Sequence, residues 1–172
     1  NITTGSGGTI TVATSTGGNA TGGSITQTAG TSLDSGTGSV VLNTPTGGAS
    51  AIGSAGFNIL TTTGDVTANA GSGGVFVTAS NGANFTATAT GAGDIQLTST
   101  TGTLNIAGAT STGTGNITLN AVAGTITQGA ALSGNVLTTN SVGGTTLNSA
   151  NALSGFSATD TGGGDVSLTN AG

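Results

Sequence analysis

Gly93-Asp94-Ile95-Gln96-Leu97-Thr98-Ser99 carries the pattern that decides the fold. It returns as Gly115-Asn116-Ile117-Thr118-Leu119-Asn120-Ala121 and as Gly164-Asp165-Val166-Ser167-Leu168-Thr169-Asn170. In each copy a glycine is followed by Asp or Asn, an aliphatic residue, a polar residue and a leucine. Apolar and polar residues alternate with period two. That is the mark of a half-buried strand, because successive side chains of extended backbone point to opposite faces. Ile, Val and Thr are β-branched and suit a pleated surface. Looser copies begin at Gly8, Gly38, Gly64, Gly74, Gly102, Gly124, Gly134, Gly144 and Gly155, with starts nine to thirteen residues apart over most of the chain. A helix is excluded: each internal glycine costs about 1 kcal/mol there, and no apolar stripe of period 3.6 exists.

Units this short leave only a few residues per turn. Antiparallel hairpins fit such turns, so a meander or barrel is the alternative topology. The hairpin marker Asn-Gly occurs only at Asn81-Gly82, and Asp-Gly is absent. Near-identical units stack best like on like, and Ile-Thr-Gln recurs at Ile25 and Ile126. The expectation is an all-β fold, a parallel β-helix (β-solenoid) with two or three strand units per coil. A coil holds roughly 20–30 residues and rises about 4.8 Å. Residues 1–172 form one solenoid segment with no separate domains. Ile, Val and Leu stack inward. Phe57, Phe76, Phe85 and Phe156 are expected to fill the wider interior. Asn120, Asn148 and Asn170 are expected to form ladders at corners. Gly and Asn supply positive φ at the turns, and Pro45 sits in a turn of Thr44-Pro45-Thr46-Gly47-Gly48.

The composition supports this and removes whole classes of function. Among 172 residues there is no Lys, Arg, His, Cys, Met, Trp or Tyr. The five acids are Asp34, Asp65, Asp94, Asp160 and Asp165, giving a net charge of −5. A disordered chain is poor in β-branched residues and rich in charge, the reverse of what is seen. A flexible linker would not repeat an aliphatic residue every nine or ten positions. With no cation to neutralise phosphate, nucleic-acid binding is not expected, nor docking to an anionic membrane. No apolar run is long enough for a membrane-spanning helix. Without cysteine there is no disulfide framework. The start at Asn1, with no signal peptide, reads as a processed product or a piece of a longer chain.

Catalysis needs titratable or nucleophilic groups beside a base, and only aspartates and hydroxyls are available. Asp160 and Asp165 could be drawn as a carboxylate pair; the plainer reading makes Asp160 a turn residue and Asp165 a strand-start residue like Asp65 and Asp94. Gly162-Gly163-Gly164-Asp165 partly matches a calcium-binding nonapeptide, but the glycine spacing is wrong and tandem copies are missing. The glycine-rich stretches Gly71–Gly74 and Gly162–Gly164 lack the lysine and helix of a phosphate loop and read as solenoid corners. Sequons at Asn1, Asn19, Asn84 and Asn116 are about as many as chance gives in so Ser/Thr-rich a chain. The reading is therefore no enzyme, with no catalytic, cofactor-binding or metal site and no cofactor. Thr-x-Thr pairs at Thr9/Thr11, Thr26/Thr28, Thr86/Thr88/Thr90 and Thr125/Thr127 raise an alternative, an ice-binding solenoid that presents threonine arrays.

Residues 124–170 resemble the repeat region of filamentous-haemagglutinin-like bacterial adhesins. The matching features are Ile126-Thr127-Gln128, Gly143-Gly144 with Leu147, Ala150-Asn151-Ala152, Phe156 and Gly164-Asp165-Val166. Earlier units match more loosely over the whole length. The resemblance implies a right-handed parallel β-helix, export by two-partner secretion and a place outside the cell or on a bacterial cell surface. It implies a structural rod or filament that supports adhesion and has a cell-surface or matrix receptor. The family's secretion-signal domain is not in this sequence, and the lack of Lys and Arg departs from the family. Neither end carries a polar helix or other cap. The expected partner is therefore the chain itself by end-to-end strand stacking, or flanking repeats of the same chain.

Overall fold

The computed structural model describes residues 1–5, 7–14, 23–62 and 64–171. Their strands, in chain order, are β1 (Ile2–Thr3), β2 (Thr9–Ala13), β3 (Leu33–Asp34), β4 (Ser39–Asn43), β5 (Ala51–Ile52) and β6 (Ile59–Thr61). Then come β7 (Gly64–Asn69), β8 (Gly74–Ala79), β9 (Ala83–Thr88), β10 (Ile95–Ser99), β11 (Leu104–Ile106) and β12 (Thr110–Ser111). The series closes with β13 (Ile117–Ala121), β14 (Ile126–Gln128), β15 (Leu132–Ser141), β16 (Thr145–Asp160) and β17 (Val166–Asn170). There is no helix among the described residues.

Every strand pairing is parallel, and each joins a strand to the one a coil later. The chain is a β-solenoid of about 6 coils of about 21 residues. Three faces recur. The first stacks β2, β4, β7, β9, β11, β14, the start of β16 and β17. The second stacks β6, β8, β10, β13 and the later halves of β15 and β16. A short third face joins the end of β9 to β12, to the first residues of β15 and to the middle of β16. The sixteen residues of β16 therefore run over all three faces in turn: Thr145 lies against Ile126, Ala152 against Ser133 and Phe156 against Leu137.

The alternation read from the sequence sets the register. On the second face Val75, Ile95, Ile117 and Leu137 stack inward in line, as do Val77, Leu97 and Leu119. On the first face Val40, Val66, Phe85 and Ile106 do the same. A one-residue slip would turn each row to solvent, so the pattern fixes the pairing. The first coils are longer, with Thr9 facing Ser39 and Ser39 facing Asp65, yet they keep five residues of ladder each.

Four expectations are corrected. Of the four phenylalanines only Phe85 is in the core, at 0% exposure; Phe57 is 75% exposed, Phe156 37%, and Phe76 is half-buried on an outward position. Gly134 and Gly155 do not start strands but lie within β15 and β16, which bend around a corner without a break. Among the described residues positive φ is confined to glycine, so asparagine does not shape the turns. The asparagine ladders run along the strand faces, where axial spacing brings amides within reach, as described below.

Candidate functional site

The outward rows hold the polar groups, and most of them are bonded along the axis. On the first face Asp65, Asn84, Asn105 and Thr127 are in register on successive coils. Asn84 Nδ2 donates to Asp65 Oδ1 at 2.8 Å, Asn105 Nδ2 to Asn84 Oδ1 at 2.9 Å, and Thr127 Oγ1 to Asn105 Oδ1 at 3.0 Å. A second ladder runs from Asn43 through Asn69 to Thr88 on the same face. On the second face Asn140 donates to Asn120 at 2.7 Å, and Asn120 to Thr98 at 3.3 Å. An amide is both donor and acceptor, so a stack of them satisfies itself. Asn120 thus joins a ladder as expected. Asn148 only accepts from Ser167 at 3.2 Å, and Asn170 binds backbone instead.

Three amides do work that the sequence did not flag. Gln27 Oε1 accepts from Leu60 N at 2.6 Å, and its Nε2 donates to Leu60 O at 3.2 Å. Asn170 treats Leu153 the same way, at 2.9 and 3.0 Å. Each side chain thereby replaces a missing backbone rung. Asn151 is fully buried: Oδ1 accepts from Leu132 N at 2.8 Å and from Gln128 Nε2, while Nδ2 donates to Thr169 O at 2.9 Å and Leu147 O at 3.1 Å. For the glutamines a sequence signal was there, since Gln27 and Gln128 each close an Ile-Thr-Gln, but only the register shows what these amides meet.

The carboxylates are dispersed. Asp160 is the last residue of β16 rather than a turn residue, and its carboxylate clasps the corners beside it. It accepts from Ser141 Oγ at 2.9 Å, Gly144 N at 2.7 Å and Gly164 N at 2.7 Å. Burial pushes this carboxyl up, but the bonds from Ser141, Gly164, Gly144 and Gly163 outweigh it and hold the pKa below the ordinary 3.8. Asp34 is also held low, first by the Gly36 amide and then by the Thr62 hydroxyl, which reach Oδ1 at 3.0 and 2.8 Å. Asp165 directly precedes β17, and its backbone carbonyl accepts from Thr145 N at 2.9 Å. Asp94 Oδ1 accepts from Asn116 N at 2.8 Å. No group of three or more acids is gathered among the described residues.

The threonine pairs do not share one face row. Thr125 and Thr127 stack on Thr103 and Asn105, while Thr86 and Thr88 stack on Thr67 and Asn69. Several hydroxyls are already bonded within the fold: Thr88 to Asn69, Thr90 to Thr46 O and Thr127 to Asn105. Of the sequons, Asn84 lies in the first-face ladder, Asn116 Oδ1 accepts from Asn135 Nδ2 at 3.1 Å, and Asn1 Oδ1 accepts from Ser32 N at 2.9 Å. Asn19 lies outside the described residues.

At the last coil, β17 covers only the first-face part of β16 and Asn151. Beyond Leu153 no described strand pairs with the outer side of β16. Phe156 and Val166, which occupy inward rows, are 37% and 43% exposed there. No family model, curated protein or solved structure matches this chain.

Proposed function

We propose that this chain is a segment of an extracellular rod or filament on a bacterial cell surface. It supports adhesion or contact between cells or with matrix and does no catalysis. One observation carries the reading. The backbone pairing, the apolar rows and the amide ladders all run along a single axis over about 6 coils, which is the construction of a rod rather than of a closed domain around a pocket. The partner proposed along that axis is a further coil of the same kind, from flanking repeats of the same chain or from another copy. The cation-free, β-branched surface and the likeness of residues 124–170 to filamentous-haemagglutinin-like adhesins support the surface location and the adhesive role.

Electron microscopy of the material as isolated tests this. Six coils at about 4.8 Å make one copy roughly 30 Å long. Rods much longer than that, with an axial repeat near the coil spacing, are the expected result. Discrete particles of one-copy length would overturn it.

A further inference from the structure

The second face carries an outward row that is not closed upon itself. Phe76, Gln96, Thr118 and Thr138 stand in register on four successive coils. None of their side chains has a hydrogen-bond partner within the described residues, although the neighbouring row of Thr98, Asn120 and Asn140 is bonded throughout. Another outward row without such bonds, Thr11, Val41, Thr67 and Thr86, is interrupted by Val41 and carries no amide, carboxylate or aromatic group. The Phe76 ring lies back over Gly74, where an added Cβ would stand 3.1 Å from Cε2. Phe76, Asp94, Gln96, Thr118 and Val136 line a shallow groove of about 500 Å³, within the range of ligand sites.

We propose that this groove binds a linear, uncharged oligosaccharide. The backbone of β8, β10, β13 and β15 is already paired on both sides, so a ligand here reads side chains only. That removes a peptide strand added at an edge. The Gln96 amide and the two threonine hydroxyls offer both donors and acceptors, the pairing that sugar hydroxyls need. The half-exposed Phe76 ring offers an apolar face for the C–H side of a pyranose. Polar groups repeat once per coil, about every 4.8 Å, close to the advance of one sugar in an extended β-linked chain. The acidic residue lining the groove is Asp94, and the chain has no Lys, Arg or His to attract an anion, so an anionic polymer is disfavoured. The site lies on the side of the solenoid and does not depend on whether coils stack at its ends.

The test is titration of the isolated chain with cellohexaose, N-acetylchitohexaose and maltohexaose, with a heparin hexasaccharide as the anionic counterpart. Calorimetry and backbone amide shifts are the readouts. At least one neutral sugar should bind, shifting the amides of Asp94, Gln96, Thr118 and Thr138. Gln96→Ala, which removes no internal bond, should weaken binding by about tenfold. Phe76→Ala should weaken it further, and Thr67→Ala on the first face should leave it unchanged. Unaltered far-UV circular dichroism of Gln96→Ala keeps the result separate from folding. Failure of all three neutral sugars at millimolar concentration, unchanged binding by Gln96→Ala, or preference for heparin would each overturn the proposal. None of these outcomes bears on rod formation.

Discussion

Replacing Gly124 by alanine should break the stack at a corner. A Cβ at Gly124 stands 2.0 Å from the carbonyl oxygen of Gly102, 2.5 Å from its carbonyl carbon and 3.2 Å from its Cα. Ordinary contact begins at 3.4 Å, so two adjacent coils must separate there, and both opposing groups are backbone. The Gly124 carbonyl accepts from Val142 N at 3.2 Å and Gly143 N at 3.0 Å, and the next carbonyl, of Thr125, accepts from Leu104 N at 2.9 Å. Loss of the Leu104 N–Thr125 O rung, the one of these that spans the separating coils, at about 1 kcal/mol, with about 1–3 kcal/mol of overpacking, gives a destabilisation of about 2–4 kcal/mol. Gly124 does not occupy the left-handed region, so the cost is steric. Gly129→Ala is the matched control: its Cβ would meet Ile106 O at 3.6 Å, and the lower entropy of the unfolded chain should leave it neutral or slightly stabilised. Urea unfolding followed by far-UV circular dichroism measures both, since the chain has no Trp or Tyr to report by fluorescence. A Gly124→Ala midpoint equal to that of Gly129→Ala would refute the argument that carbonyl-to-glycine contact sets the corner.

Thr139 is fully buried in an inward row with its hydroxyl unpartnered; Thr139→Val keeps the shape and should raise stability by about 1 kcal/mol in the same urea experiment. Asn84→Ala removes two rungs of the first-face ladder and should cost about 1–2 kcal/mol. A double-mutant cycle with Asn105→Ala should show the two changes to be less than additive, because they share a bond. Asp34 and Asp160 are held below their ordinary pKa of 3.8, so their stabilising effect is present above that value and is lost as pH falls through their folded values. Thermal unfolding across pH 2–7 should show flat stability above about pH 5 and a decline below about pH 4, with a shallower decline in Asp160→Asn.

The fold was legible because alternation and repetition act at the same positions. Ile95 and Ile117 occupy matching places in near-identical heptads, and they meet directly. Strands such as Ala83–Thr88, whose inward row is Ala83, Phe85 and Ala87, were harder to see because small side chains blur the period. The phenylalanines misled because burial depends on which side of the strand a residue falls. Phe76 and Phe85 are equally apolar but take opposite parity, and Phe57 lies in a turn. The groove beside Phe76 was not legible at all. Its members are a coil apart in sequence, and what distinguishes them is the lack of a partner, which only the register reveals.

The coil arrangement has a mechanical consequence. Backbone hydrogen bonds between coils lie along the axis, so tension applied between the two ends of the chain loads the outermost coil first and peels it from the next. Each coil of about 21 residues would release roughly 70 Å of extended chain while removing about 4.8 Å of rod. Such a molecule lengthens under load in discrete, repeating steps, and a solenoid anchored at a surface would act as a shock absorber that re-forms coil by coil when the tension falls.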